Sequence, residues 1–355
     1  MSRNVLKASV CAVALGAAVL TPTQAAAEPE QPTGNELAGR TVFLDPGHQG
    51  SADGHDLAKQ VPDGRGGTKD CQTTGMTTLG GVPEHTIAWN VSQLVKSALE
   101  GLGAKVELSR PDDTGWGGCI DERAAAANAS GADLAVSIHA DSTAAAEDAD
   151  KSGFHMIVPQ LPLPDAAADK AQAGVGLEAS KAMRDAYVSR GFTPANYAGV
   201  TDGLQTRADI AGPARTHVPL VFVEMGNGAN PADAAKLESN EGQLDHAVAI
   251  ITGAVTQLLG APAPDAAPQA TTPAPAGDAA PAPDQSTPTA PDLLGDEDSP
   301  STAVEAIVAQ ALTILTQMLE SGGLSGLQDL MNDETMGLAS DLAATLLSTL
   351  QENAG

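Results

Sequence analysis

Residues 41–48 read TVFLDPGH, and the fold is read outward from that stretch. Thr41–Leu44 is a short β-branched and apolar run, the pattern of a strand in a sheet covered on both faces. Asp45-Pro46-Gly47 stops the run and turns the chain. His48 is thereby held at the C-terminal edge of the strand, where open α/β sheets place their sites. Residues 134–141, LAVSIHAD, repeat the arrangement: the run Leu134–Ile138 delivers His139 to the same edge.

Three further runs read as strands: Lys105–Leu108, Phe154–Val158 and Leu220–Val223. Helical patterns lie between them. Ile87, Val91, Leu94, Val95, Ala98 and Leu102 recur at helical spacing, and Gly101 and Gly103 mark the exit. Asn240 with Gln243 reads as a capping box ahead of Leu244, Val248, Ile251, Val255 and Leu258. This alternation predicts one α/β domain over residues 37–260, with a largely parallel or mixed sheet flanked by helices. All eight aromatic residues fall between Phe43 and Phe222, inside that span.

The flanks differ in kind. Arg3 and Lys7 precede the largely apolar run Ala8–Leu20, and Ala25-Ala26-Ala27 offers a small-residue cleavage site. Residues 1–27 are therefore expected to be a signal peptide, the apolar run being too short for a membrane span. Residues 261–300 contain ten Pro and eleven Ala, a composition with little to bury, and are expected to be a disordered linker. Residues 301–355 turn helical again, as an acidic tail. Val304, Ile307, Val308, Ala311, Leu312 and Leu315 form one apolar stripe, and Leu338, Leu342, Leu346 and Leu350 another. So short a segment rarely forms a core alone, so the tail is expected to pair with another copy, a partner protein or the main domain. No Lys or Arg follows Lys236, which argues against a basic membrane-binding helix. The whole chain of 355 residues carries 45 acidic and 18 basic side chains, a net charge of −27. Nucleic acid is excluded as a partner on that balance.

Removing the signal leaves Cys71 and Cys119. An even count in an exported chain reads as a disulfide. Two free thiols suit such a compartment less well, and no CxxC spacing supports a zinc pair.

The chemistry gathers on four residues. His48 and His139 share one sheet edge. Gly81-Val82-Pro83-Glu84 sets a carboxylate at the mouth of the following helix, where it can come between the two imidazoles. Two His and one Glu make a catalytic zinc set, with a fourth position left for water. The last strand ends Val223-Glu224-Met225-Gly226, which brings Glu224 to the same edge as a carboxylate free to move protons. Asp141 is a candidate for orienting an imidazole, or simply a solvated loop acid. The other histidines are assigned no ligand role. His55 lies in a Gly/Asp-rich loop, His85 points elsewhere on its helix, and His155 is placed inside a strand. His246 lies on a helix, and His217, which leads into the Glu224 strand, is the best of them as a cleft residue.

The segments TVFLDPGHQG, GVPEHTIAWNVSQLVKSALEGLGAKVELSR, ERAAAANASGADLAVSIHADS and PLVFVEMGNGANPADAAKLE together resemble the zinc-dependent N-acetylmuramoyl-L-alanine amidases of the Amidase_3 type, especially exported actinobacterial members. The resemblance covers residues 38–259. It implies zinc ligation by His48, Glu84 and His139, and catalysis by Glu224. It also implies an α/β fold and cleavage of the amide between N-acetylmuramic acid and L-alanine in peptidoglycan or its muropeptides. Two other readings stand beside it: a zinc peptidase of stem peptides, and a non-catalytic wall-binding or regulatory protein with this fold. Residues 49–83 depart from the family pattern as a long Gly/Asp-rich insertion that holds Cys71. The linker and tail lie outside the resemblance.

Overall fold

A computed structural model describes residues 34–144, 148–260, 304 and 306–313. The expected signal peptide, the linker and most of the tail lie outside the described residues. In chain order the elements are β1 (Thr41–Pro46), β2 (Gln60–Pro62), β3 (Thr68–Asp70), α1 (Glu84–Gly101), β4 (Lys105–Leu108), α2 (Ile120–Ser130), β5 (Leu134–Asp141) and β6 (His155–Pro159). They continue with α3 (Ala166–Ala171), which passes through a π-helical turn into α4 (Leu177–Ser189), then β7 (Leu204–Arg207), α5 (Ala211–Arg215), β8 (Leu220–Asn227), α6 (Pro231–Glu238) and α7 (Asn240–Leu259).

Six strands form one sheet in the order β4-β1-β5-β8-β6-β7. All neighbours are parallel except β6 and β8, which run antiparallel. The sheet is therefore mixed, and the α/β expectation holds. The period-2 alternation of the central strands sorts their side chains to two faces. Val42, Leu44, Leu134, Val136, Ile138, Val221, Val223 and Met156 face the large core built with α1, α4 and α7. Phe43, Ala135 and Leu220 face the other way, against Ala127 of α2, in a much smaller cluster. That thinner layer leaves room for a cleft.

All five strands expected from the sequence are present; β1, β5 and β8 run two to four residues further at the C-terminal end, and β6 begins and ends one residue later. β2, β3 and β7 were not anticipated. β2 and β3 form an antiparallel hairpin within the 49–83 insertion. Cys71 and Cys119 form a disulfide that ties the end of this hairpin to the start of α2. The cap of α7 needs correction: Ser239 is the N-cap, its hydroxyl accepting from Gly242 N at 3.1 Å, and Asn240 is the first helical residue. Gln243 is turned back to donate to Leu237 O at 2.8 Å, so it makes no capping box with Asn240. α7 closes on Gly260 in the left-handed region, φ 68°.

The first stripe of the tail finds its partner in the main domain. Residues 304 and 306–313 are helical. Val304, Val308, Ala311 and Leu312 are buried in the same core as α1 and α7, with Ile307 packed at its margin. The nearby contact of Gln310 with Gly34 places this segment at the end of the domain where β1 begins. Among the described residues no helix is long and apolar enough to cross a membrane.

Candidate metal centre

The turn after β1 is held by two buried guanidiniums. Arg123, on α2, donates to Asp45 Oδ1 and Pro46 O, both at 2.8 Å, and to the carbonyl of His48. Arg110 donates to Pro46 O at 3.1 Å and to His85 O at 2.7 Å. Burial alone would raise the Asp45 carboxyl, but the Arg123 charge and hydrogen bonds to serines outweigh it and bring its pKa down to about 2. The turn is thus fixed by charge-assisted bonds, and it keeps His48 in the left-handed region at φ 59°, which is costly for a residue with a side chain.

From there His48 and His139 reach Glu84 from two sides. His48 Nε2 lies 3.0 Å from Glu84 Oε2, and His139 Nδ1 lies 2.9 Å from Glu84 Oε1. Glu84 is the first residue of α1, where the helix dipole favours a carboxylate. Its oxygens also accept from Met76 N at 2.8 Å and Ala140 N at 3.0 Å. Burial raises its pKa, yet the charges and hydrogen bonds of the facing imidazoles of His48 and His139 carry it well below the usual carboxylate range. The two imidazole rings stand 4.9 Å apart and nearly perpendicular, and Phe222 stacks on His139 at 4.5 Å.

These three residues are the set whose ligand atoms lie within 4.8 Å of one another. His48 Nδ1 lies 3.1 Å from the carbonyl of Thr73, which can only accept. A proton on Nδ1 satisfies that carbonyl and leaves Nε2 as the ring atom that faces Glu84. A donor set of two imidazole nitrogens and one carboxylate oxygen suits Zn²⁺.

Glu224 sits beside the cluster. It is register-paired with His139 and 9% exposed. Burial, then the charges of Glu84 and Asp141, push its pKa well above the usual range, and its Oε2 is buried with no hydrogen-bond partner among the described residues. The Asp141 carboxylate accepts from Ser142 N at 2.7 Å, and no hydrogen bond joins it to an imidazole among the described residues. His217 lies 3.1 Å from Asp165, both largely exposed, before the start of β8 and so at the opposite edge of the sheet. His55 stacks on Trp116, His85 binds Asp113, and His246 is buried against Phe192.

A family model for N-acetylmuramoyl-L-alanine amidase, Amidase_3, matches residues 42–256. This chain belongs to that amidase family. It is 42% identical over 217 residues to N-acetylmuramoyl-L-alanine amidase Rv3717 of Mycobacterium tuberculosis, covering 61% of this chain and 86% of that one. The amidase Ami1 from Mycobacterium smegmatis superposes with a TM-score of 0.58 at 43% identity, over 62% of this chain and 98% of its own. The apo form of Ami1 from Mycobacterium abscessus gives 0.57 at 43% identity, over 62% and 100%. The actinobacterial affinity expected from the motifs is borne out.

Within this amidase a cleft of about 770 Å³ runs from the cluster along the thinner face of the sheet. Its floor is apolar, with Phe43, Ala135, Leu220 and Phe222. The hairpin forms one wall through Gln60, Lys69 and Asp70, and α5 another. Lys69 Nζ donates to Asp209 O at 2.6 Å and Arg65 donates to Gln160 O at 2.6 Å, so the insertion reaches across to the far bank. Neither those bridges nor the two buried arginines were legible in the motifs. Arg and Lys usually mark surface, and their partners here are mostly backbone carbonyls, which leave no sequence pattern.

Proposed function

We propose that this chain is a zinc-dependent hydrolase that cleaves the amide between the lactyl group of N-acetylmuramic acid and the L-alanine of a peptidoglycan stem. The observation that carries the reading is the His48–Glu84–His139 cluster with the buried Glu224 beside it at one edge of the cleft. His48 Nε2, a Glu84 oxygen and His139 would hold Zn²⁺. When bound, the ion supplies a Lewis acid that lowers the pKa of water toward about 7 and polarises a carbonyl.

The remaining work belongs to the chain's own residues. Glu224 takes a proton from the attacking water and returns it to the departing nitrogen. Burial raises its pKa, which strengthens the carboxylate as a base for the water proton. The apolar floor and the hairpin wall exclude bulk water and orient the stem peptide. The signal-like leader and the disulfide support export to the cell-wall space.

The test is mass spectrometry of muropeptides digested by the purified protein, with metal analysis alongside. Release of an intact stem peptide with a free L-alanine amine, and about one zinc per chain, is the expected result. A cut between two amino acids of the stem would make it a peptidase, and metal-loaded protein with no cleavage would make it a binding module.

A further inference from the structure

Antiparallel pairing of β6 with β8 sets His155 directly opposite Glu224. Directly paired residues share a face, with Cβ atoms about 4.5–5.5 Å apart. His139, Glu224 and His155 therefore form one row across β5, β8 and β6, with Glu224 in the middle. His155 is 1% exposed, and neither ring nitrogen has a hydrogen-bond partner of ordinary geometry among the described residues. The Glu224 Oε2 atom is in the same condition. A buried polar group without a partner lowers stability, so an imidazole here is held against stability. A phenyl ring would fill the space without that cost.

The surroundings prepare the ring for one task. Tyr197 meets it edge-on at 5.9 Å. The Gln205 amide is anchored by donating to Ala198 O at 2.8 Å, which leaves its carbonyl oxygen free toward the imidazole. Asp141 and Arg207 act on it with opposite charges. Burial is the largest influence and brings the His155 pKa down to about 4, so the ring is neutral at neutral pH. A neutral imidazole carries one donor and one acceptor. It can donate to a carboxylate and accept from a carboxylic acid, and so can serve Glu224 in both of its proton states.

We propose that His155 is a positioning residue for Glu224: its ring is placed to hydrogen-bond the buried Oε2 during turnover and thereby to aim the other carboxyl oxygen at the His48–Glu84–His139 cluster. This rests on Glu224 being the proton carrier. The sequence places His155 inside a strand and not at the site because strand direction is invisible there. β6 runs against β8, so its first residue lies at the edge where β5 and β8 end.

The experiment uses the zinc-loaded protein and an N-acetylmuramoyl peptide. His155→Phe is expected to keep zinc, to melt at a higher temperature and to lower kcat by about 10–100-fold with KM unchanged, the usual loss when a supporting partner of a site is removed. His155→Asn, whose amide keeps a donor and an acceptor, is expected to recover most of that loss. Unchanged kcat in His155→Phe, a change confined to KM, or equal losses in both variants would overturn the proposal. So would failure of His155→Phe to fold, since the imidazole would then be structural. Wild-type turnover and Glu224→Gln report separately on the underlying reading. If Glu224→Gln is dead and His155→Phe is normal, only the role of His155 falls.

Discussion

Gly47 and His139 lie so close that a methyl group on Gly47 would fall 2.5 Å from the Cε1 and Nδ1 atoms of the His139 ring. The glycine of the DPGH turn is there for want of a side chain: the backbone of one ligand loop packs flat against the imidazole of the other. Gly47→Ala should push His139 out of line. Zinc affinity is expected to fall together with turnover, while the circular dichroism of the fold stays intact. Full metal content with normal turnover would mean that the loop can yield.

Glu224→Gln keeps the shape of the side chain and removes the proton carrier. Zinc should stay near one per chain, and turnover should drop by about 10²–10⁴-fold. His139→Ala should lose metal and turnover together, since two remaining ligands hold zinc poorly. Metal content and cleavage rates of both variants decide it. A Glu224→Gln protein that loses zinc as fully as His139→Ala would make Glu224 a ligand.

Glu224→Gln should also stabilise the metal-free protein. The Glu224 pKa is raised in the folded state, so the unfolded chain releases that proton first as pH rises. The folded state is then penalised above the ordinary carboxyl range, and the penalty is absent at low pH, where both states are protonated. The Tm gain of the variant should therefore be larger at pH 8 than at pH 4. A gain that shrinks with rising pH would contradict the direction of the shift.

Acid should weaken the fold through two buried imidazoles. Burial lowers the pKa of His246 to about 3, with Lys236 adding to it, and burial lowers His155 to about 4. Unfolded, both return toward about 6.5. Below that value the unfolded state binds more protons, so stability falls from about pH 6.5 down through the folded pKa values. His246→Leu should flatten part of this slope in urea titrations at pH 7 and pH 5. A slope identical to wild type would show that His246 does not contribute.

The Cys71–Cys119 link closes a separation of 48 residues, worth about 4 kcal/mol on the chain-entropy view. The native protein should weigh two hydrogens less than its reduced form. Reduction should loosen the segment that includes Thr73 and Gly75, which touches His48 and Glu84 directly. Zinc affinity should fall before the fold is lost. Unchanged zinc affinity in the reduced, folded protein would separate the hairpin from the site.

Much of this molecule was legible in the chain, for reasons that differ by element. β1, β5 and β8 are buried on both faces, so their apolar runs stand out, and each ends in a polar residue that lands at the site. The β2–β3 hairpin, QVP against TKD, pairs only with itself and carries a polar surface, so it has no hydrophobic signature. β7, LQTR, is an edge strand with a single buried residue. The α7 cap slipped by one position because Ser239 and Asn240 are both good caps, and only backbone geometry separates them. Thr73 acts through its carbonyl, which every residue has. Arg110 and Arg123 are charged and buried, against the usual rule.

The docked segment at residues 304–313 changes what a break in the chain would mean. Gly260 ends α7, and Val304 is already seated in the core that α7 helps to build. The described chain on either side of residues 261–303 thus belongs to one body. A single protease cut between Gly260 and Val304 would yield two polypeptides that still copurify, and a denaturing gel would show two bands where size exclusion shows one particle. Truncation at Gly260 is a different event: it removes the seated helix, uncovers its apolar bed and should lower the Tm, and a separately supplied peptide spanning residues 302–316 should restore it. The catalytic body and its C-terminal helix are in that sense separable reagents, and complementation between fragments is open to an enzyme encoded as one chain.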